Sequence, residues 1–236
     1  MAWPDLPAQP LVLVPVGSTE QHGPHLPTST DTLVATAVAE QVAARLSTAA
    51  RPVLVAPAVA YGCSGEHQGF TGTVSIGADT LRLLLLELVR SLSCWAGRVI
   101  LVNGHGGNVS TLTAVVPQLV AEQHHVAWVP CASGPGDAHA GFTETCLVLH
   151  LAPHLVALDR AAPGNLAPLA TLMPTLVAQG LVAVSPSGVL GDPTGATAQE
   201  GARLLEAAVA GIVARVAYDV LDDRGCLRAQ RLSDAS

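Results

Sequence analysis

The chain has 236 residues, of which 50% are hydrophobic, 12% are charged and 3% are aromatic, and its formal net charge is −7. This composition predicts one large folded domain with a sizeable core, and it excludes a disordered chain. The acidic balance and the scarcity of aromatic residues argue against a nucleic-acid partner, which requires basic grooves and stacking rings. All 11 basic residues are Arg. The absence of Lys excludes Walker-type phosphate loops and Schiff-base chemistry.

The N-terminal segment and the cysteines indicate the compartment. The first ten residues, MAWPDLPAQP, lack the basic and long apolar regions of a signal peptide. No apolar run reaches the roughly 18 residues of a membrane span. The 5 cysteines are spread out without a CxxC pair, which argues against a disulfide framework or a zinc ribbon. We therefore expect a soluble cytoplasmic protein with no membrane partner.

Short β-branched runs alternate along the chain with longer stretches of helical periodicity. Strands are predicted at 11–16, 53–56, 98–102 and 125–130, and helices at 31–46, 78–96, 109–123, 144–151 and 197–220. The segment 161–193, uncharged as far as residue 191, has no clear pattern. The polar tail 222–236 is expected to be loosely held.

This alternation predicts an α/β fold, a three-layer sandwich in which helices cover both faces of a mainly parallel sheet, within a single domain over residues 1–236. The helix at 78–96 has leucines around most of its circumference and is expected to be heavily buried. Ligand sites in such sheets lie beyond the carboxyl ends of the strands. Polar residues that follow predicted strands are therefore the candidates for a functional site.

The first candidate cluster is GSTEQHGPH at 17–25, followed by Asp31. Glu20 and His22 project to the same side of an extended segment, and a carboxylate beside an imidazole suits a divalent metal such as Zn, Fe or Mn. Asp31 has two oxygens that can bridge two ions. The alternatives are that Glu20 and His22 bond only to the backbone and that Asp31 caps a helix.

A second cluster, NGHGGN at 103–108, follows another predicted strand. Its glycines allow the backbone around His105 to come close to a ligand. One alternative is a dinucleotide-binding loop, but the pattern lacks the full GxGxxG fingerprint. The other alternative is a buried structural histidine.

Two further loops carry acids and histidines. In HAGFTET, His139 is a candidate proton shuttle, and Glu144 opens a predicted helix, where it could instead satisfy the helix dipole. The Gly-rich loop 61–77 contains the polar pair Glu66 and His67. Together the loops supply enough ligands for two metals that share a carboxylate. Such a centre produces a hydroxide near neutral pH and activates a carbonyl, so the residues predict a metal-dependent amide hydrolase.

The motifs PVGSTEQHGPHLP with Asp31, VNGHGGN and HAGFTET occur in the order found in the creatininase family of metal-dependent amidohydrolases. The chain resembles that family from about residue 11 to residue 216. The resemblance implies the family's fold and two divalent metal ions per chain, Zn²⁺ or Fe²⁺ with Mn²⁺ as an alternative. The implied ligands of one ion are Glu20, Asp31 and His105, and those of the other are His22, Asp31 and Glu144.

The same resemblance implies that His139 assists at the reacting amide. We add Glu66 as a hypothesis for a residue that helps to move a proton to the leaving amine. Creatininase has a Glu two residues after the histidine of its NGH motif, where this chain has Gly107, and this difference weakens creatinine as a substrate. Thr71 and Cys146 stand where relatives usually have Pro and Ser.

Three stretches, YGCSGEHQGFTGTVSIG, CWAGRVILVNGHGGN and GVLGDPTGATAQEGARL, are similar to those of family members that cleave a modified precursor peptide. The similarity implies that the substrate is such a peptide and that the amide before its crosslinked C-terminal Val-Tyr is cut. The alternatives are hydrolysis of a small cyclic amide, a non-catalytic metal-binding scaffold and a nucleotide-binding protein. The resemblance also implies a homo-oligomer, with the apolar segment 161–190 as a candidate interface.

Overall fold

The computed structural model describes residues 2–131 and 136–230. Its strands are β1 (Leu11–Val16), β2 (Val53–Val55), β3 (Arg98–Asn103) and β4 (Val126–Pro130). In the described residues these 4 strands form one parallel sheet in the order β2-β1-β3-β4. In the central strand β1, Leu13 pairs with Val55 on one side and with Ile100 on the other. The strands are aliphatic throughout because both faces of a parallel sheet are buried.

The described helices cover both faces of this sheet. They are α1 (Thr30–Leu46), α2 (Gly77–Leu92), α3 (Val109–Ala121), α4 (Phe142–Leu151), α5 (Leu169–Gln179) and α6 (Ala198–Tyr218). Side chains of α1, α4 and α6 form one core with Leu13 and Ile100, and side chains of α2 and α3 form the other with Val14 and Leu101. The predicted three-layer α/β fold is thus confirmed. Among the described helices, none combines the length and apolar character needed to span a bilayer.

The expectation that the helix at 78–96 is heavily buried is wrong for part of its circumference. In α2, Leu81 and Leu85 contact the core, but Leu83 is 59% exposed and Leu84 is 38% exposed. Leu86 is also buried, and Leu88 and Leu92 pack against the same core. Leu83 and Leu84 are therefore the leucines of α2 that face solvent.

The expectation of a loosely held tail is wrong for its first residues. The Trp128 N–H donates to the Gly225 carbonyl at 3.1 Å, and the Leu227 N–H donates to the Trp128 carbonyl at 3.0 Å. Cys226 and Leu227 are buried. This segment covers the outer edge of β4, whose backbone groups would otherwise lack partners. Residues 231–236 lie outside the described ranges.

In the segment 161–193, for which the sequence has no clear pattern, two backbone hydrogen bonds join the start to the end. The Gly164 N–H donates to the Gly191 carbonyl at 3.0 Å, and the Asn165 N–H donates to the Val189 carbonyl at 3.0 Å. We call residues 165–189 the α5 excursion. Helix α5 lies within it, and none of the 11 described residues of α5 is buried. The chain after α5 passes the turn at 65–67, since a Cβ at Gly180 would lie 3.1 Å from the Glu66 carbonyl oxygen.

Candidate metal centre

The predicted site residues meet beyond the carboxyl ends of β1 and β3, as expected for a parallel sheet. Glu20 and His22 lie in the loop after β1, and Asp31 is in the first turn of α1. His105 lies two residues after the end of β3, and Glu144 is in the first turn of α4. The structure therefore brings residues from four separate parts of the chain into one cluster.

Asp31 lies at the centre of this cluster and is 2% exposed. Its Oδ1 is 3.1 Å from Nε2 of His22, and its Oδ2 is 3.1 Å from Nδ1 of His105. The Ser18 hydroxyl also donates to Oδ2, at 2.7 Å. These partners are side chains of the cluster, so Asp31 is built into the site and does not act as a helix cap.

Glu20 is fully buried between Ser64 and the histidines. The Ser64 hydroxyl donates to Oε2, and Nε2 of His105 lies 3.1 Å from the same oxygen. Among the described residues, Oε1 of Glu20 has no hydrogen-bond partner. A buried carboxylate oxygen without a partner is unfavourable unless a cation compensates it. The donor set therefore fits a bound metal ion.

Backbone carbonyls orient three of the histidines. The pairs are His22 Nδ1 with the Glu20 carbonyl at 3.2 Å, His105 Nε2 with the Cys63 carbonyl at 2.8 Å, and His139 Nε2 with the Gln21 carbonyl at 2.8 Å. A neutral imidazole has a single N–H, so the other nitrogen of each ring presents a lone pair. Metal-binding histidines are usually held by such a contact through the second nitrogen. In each ring that other nitrogen faces a carboxylate, so a proton or a metal ion between the two groups would compensate the charge.

The charges of the cluster favour positive charge at its centre. Burial lowers the pKa of His22, but the charges of Asp31 and Glu144 outweigh burial and raise it to about 10. Burial also lowers the pKa of His105, but its hydrogen bond and charge interaction with Asp31 raise it to about 9. Burial raises the pKa of Glu20 to about 7, and the charge of Asp31 adds to the rise. Metal ions would replace the protons that this cluster holds.

Within residues 2–131 and 136–230, three groups of side chains bring their possible ligand atoms within 4.8 Å of one another. The groups are Glu20, Asp31 and His105, then His22, His139 and Glu144, then Glu20, His67 and His139. The first group is the set implied for one ion. The second contains His22 and Glu144, 3.8 Å apart, with His139 where the resemblance implies Asp31. Asp31 nevertheless lies 3.1 Å from His22, so the implied second set is also close together.

His139 is buried against the same carboxylates, as its predicted role requires. Its Nδ1 lies 3.8 Å from Oε1 of Glu20. Burial holds the pKa of His139 well below its usual range, with a further contribution from the charge of His22. Its Nε2 contacts the Gln21 carbonyl, so Nδ1 is the ring nitrogen that faces Glu20.

The motifs did not identify His67 as a site residue, and the structure places it in the cluster. Its Nε2 lies 3.3 Å from Oε1 of Glu20 and 3.9 Å from Oε1 of Glu66. His67 is buried, whereas the Glu66 side chain is 28% exposed on the outer side of the centre. The signal that pointed to His67 was its place beside Glu66 in a Gly-rich loop after β2.

Gly107 keeps space open beside His105. A Cβ at this position would lie 2.2 Å from the Cys63 carbonyl oxygen, 2.4 Å from Nε2 of His105 and 3.0 Å from Oε1 of Glu66. A side chain would therefore disrupt the hydrogen bond that orients His105. The Glu66 carboxylate lies next to the space that such a side chain would enter.

Comparison with known proteins places the chain among related hydrolases. The family model described as "Creatininase: Creatinine amidohydrolase" matches residues 1–216. A mycofactocin precursor peptide peptidase from Mycobacterium ulcerans (strain Agy99) is 56% identical over 212 residues, covering 88% of this chain and 85% of the relative. A creatinine amidohydrolase from Pseudomonas putida is 30% identical over 233 residues, covering 86% of each chain. The solved structure named "Creatininase Mn" matches with a TM-score of 0.70 and 27% identity, over 89% of this chain and 91% of that one.

Proposed function

The chain belongs to the creatininase family of metal-dependent amidohydrolases, and we propose that it is a peptidase for the mycofactocin precursor peptide. The proposed reaction cuts the amide before the modified C-terminal Val-Tyr and releases that dipeptide. The observation that carries the hydrolytic chemistry is the cluster of buried carboxylates faced by histidine ring nitrogens. The substrate is supported by the 56% identity to a peptidase of that name.

The proposed centre holds two divalent ions. Glu20, Asp31 and His105 would hold the first, and His22, Asp31 and Glu144 would hold the second, with Asp31 shared. Imidazole and carboxylate ligands suit Zn²⁺ or Fe²⁺, and Mn²⁺ is an alternative. When bound, the ions supply an activated water and polarise the scissile carbonyl.

The chain's own residues orient these groups and move protons. The Ser18 hydroxyl and the two histidines beside Asp31 hold its carboxylate in one orientation. His139 would accept a proton at Nδ1, the ring nitrogen that faces the centre, and return it to the leaving amine. Glu66 is the second candidate for this transfer because it lies on the exposed side of the centre.

A small cyclic amide is not favoured as the substrate. The identity to the Pseudomonas putida creatinine amidohydrolase is 30%, against 56% to the precursor peptide peptidase. Gly107 also leaves no carboxylate at the position where the resemblance places a Glu in creatininase.

We further propose a cytoplasmic homo-oligomer with no nucleic-acid partner. Support for subunit contacts comes from the α5 excursion, where Leu166 is 66% exposed and Val177 is 75% exposed. Apolar side chains grouped in this way are typical of an interface.

Mass spectrometry tests the proposed reaction. A peptide ending in Gly-Gly-Val-Tyr, in its plain and its crosslinked forms, is incubated with the zinc-loaded protein. We expect loss of the terminal dipeptide, blocked by a chelator and by His105→Ala. Cleavage that survives the chelator would contradict the metal centre. Failure to cut either form of the peptide would contradict the proposed substrate.

A further inference from the structure

His25 is the second histidine of the GSTEQHGPH cluster, and the proposed mechanism does not use it. It is 1% exposed, and among the described residues it belongs to none of the groups of possible metal ligands. We propose that His25 is a positioning residue of the centre. Its hydrogen bond to Thr145 sets the spacing between His22 and Glu144, which two separate elements contribute to the second ion. The inference rests on the proposed two-ion centre and deepens it.

His22 belongs to a closed turn formed by residues 20–28, which we call the ligand turn. The Glu20 N–H donates to the Thr28 carbonyl at 3.0 Å, and the Leu26 N–H donates to the His22 carbonyl at 3.3 Å. Within this turn, Nδ1 of His22 lies 3.2 Å from the Glu20 carbonyl oxygen. The imidazole of His22 is therefore fixed to the ligand turn and moves with it.

Glu144 is fixed in the same way to the other element, helix α4. It lies in the first turn of the helix, and its Oε2 accepts from the Ala140 N–H at 2.6 Å, just before the helix begins. The carboxylate therefore moves with α4. Its Oε2 lies 3.8 Å from Nε2 of His22. This separation depends on how the ligand turn is docked against α4.

His25 spans the junction between the ligand turn and α4. Its Nε2 lies 2.9 Å from Oγ1 of Thr145, the residue after Glu144, and both side chains are buried. A hydroxyl can donate or accept, so this contact is a hydrogen bond whichever ring nitrogen carries a proton. The Ala157 N–H, beyond the end of α4, donates to the His25 carbonyl at 2.9 Å. His25 therefore contacts the chain on either side of α4.

Apolar contacts at the same junction are less directional than this hydrogen bond. Leu26 of the ligand turn and Val148 of α4 belong to one small buried cluster. Hydrophobic contacts do not depend on direction, whereas a hydrogen bond restricts both distance and angle. Among the described residues, Nδ1 of His25 has no hydrogen-bond partner. The contact with Thr145 is therefore the one that orients the ring.

Gly23 leaves room for the His25 ring inside the ligand turn. Its φ is +63°, and a Cβ there would lie 2.9 Å from Nδ1 of His25 and 2.7 Å from Cγ2 of Val189. Glycine accepts both this conformation and this close approach. The glycine between the two histidines thus allows the ring of His25 to fold back against the turn, where it reaches Thr145.

Stepwise zinc binding tests the proposal on the full-length protein. Competition with a chelating dye gives an affinity for each of the two ions, and Glu144→Gln identifies the step that belongs to the second ion. Loss of a residue that orients a metal ligand typically lowers affinity by about tenfold or more. We therefore expect Thr145→Val to weaken that step by about tenfold or more and to leave the other step unchanged. Thr145→Ser keeps the hydroxyl and should restore most of the affinity.

A combined variant separates positioning from a general structural role. In the Glu144→Gln background the positioned ligand is already lost, so Thr145→Val should not weaken the second step further. Thr113→Val on α3 is the matched control, because its hydroxyl donates to the Ser110 carbonyl within its own helix. It should leave both steps unchanged. Equal weakening of both steps by Thr145→Val, or no weakening of either, would overturn the proposal.

His25→Leu tests the same hydrogen bond from its other side. We expect the same step to weaken, and the double variant with Thr145→Val should bind no more weakly than either single variant. Weakening in one single variant alone would contradict the role of this bond. These measurements need no substrate. Two ions in the wild type with unaffected variants would overturn this inference alone, whereas a single ion in the wild type would overturn the two-ion centre as well.

Discussion

The candidate metal centre and the α5 excursion both depart from the usual relation between hydropathy and burial. Charged side chains are buried in the centre, whereas apolar side chains are exposed in the excursion. Glu20 and His22 are 0% exposed, whereas Leu166 is 66% exposed and Val177 is 75% exposed. Charged groups are rarely buried fully unless they are paired, and large apolar groups are usually inside. The proposed function would explain both inversions. A bound cation would compensate the buried carboxylates, and a neighbouring subunit would cover the apolar side chains.

The largest expected effect comes from removing the shared charge of the centre. Asp31→Asn keeps the shape of the side chain but loses the carboxylate between His22 and His105. We expect loss of bound metal and a fall in turnover of about 10³-fold, equivalent to about 4 kcal/mol. Elemental analysis and initial rates with the peptide measure both quantities. Asp79→Asn, in the exposed first turn of α2, is the matched control. Equal activity in the two variants would show that the buried charge of Asp31 is not needed.

A pair of leucine truncations tests the burial side of the comparison. Leu227 is 0% exposed and Leu166 is 66% exposed. We expect Leu227→Ala to lower the free energy of unfolding by about 3 kcal/mol. Leu166→Ala should change the free energy of unfolding by less than about 0.5 kcal/mol. Urea denaturation of both variants measures these changes. Equal losses of unfolding free energy would mean that the tail does not stabilise the sheet edge.

Glu66 tests how far the catalytic machinery extends outward from the buried cluster. Glu66→Gln removes a proton acceptor without changing the size of the side chain, so we expect kcat to fall by about 100-fold. Glu40→Gln, at an exposed position on α1, is the matched control. Full turnover of Glu66→Gln in a steady-state assay would remove Glu66 from the mechanism.

The smallest expected change in stability accompanies a change in assembly. Val177→Asp places a charge on α5, where the side chain is 75% exposed. We expect the free energy of unfolding to stay within about 0.5 kcal/mol of the wild type, and the mass in sedimentation experiments to fall toward that of a single chain. Leu83→Asp, on the exposed side of α2, should leave the mass unchanged. An unchanged mass for Val177→Asp would exclude the α5 excursion as an interface.

Features that depend on neighbouring residues could be predicted from the sequence. The apolar run at 11–16 matches β1, and the predicted strand at 98–102 is one residue shorter than β3. Both runs lead directly into Gly-containing loops, and a parallel sheet gathers such loops at one edge. The proximity of Glu20, Asp31 and His105 therefore follows from the order of strands and loops along the chain.

Features that depend on distant residues could not be predicted in this way. The side chain of His67 contacts that of Gln21, 46 positions away in the chain. The tail is held by Trp128, whose indole N–H also donates to the Arg224 carbonyl, 96 positions away. The exposure of Leu83 depends on which face of α2 meets α3, and a helix with leucines on most sides does not specify that face.

Because the two ends of the α5 excursion are joined at its base, its exposed outer part can vary in evolution. Its two ends leave the body of the protein side by side, joined by the backbone pairs of Gly164 with Gly191 and Asn165 with Val189. Helix α5 has no buried residue, so this outer part can change in length or sequence while the buried Leu181, Ser185 and Val189 keep their packing. Insertions and recombination can therefore change this outer part without altering the carboxylates of the candidate metal centre. A single hydrolytic scaffold could in this way acquire new substrates.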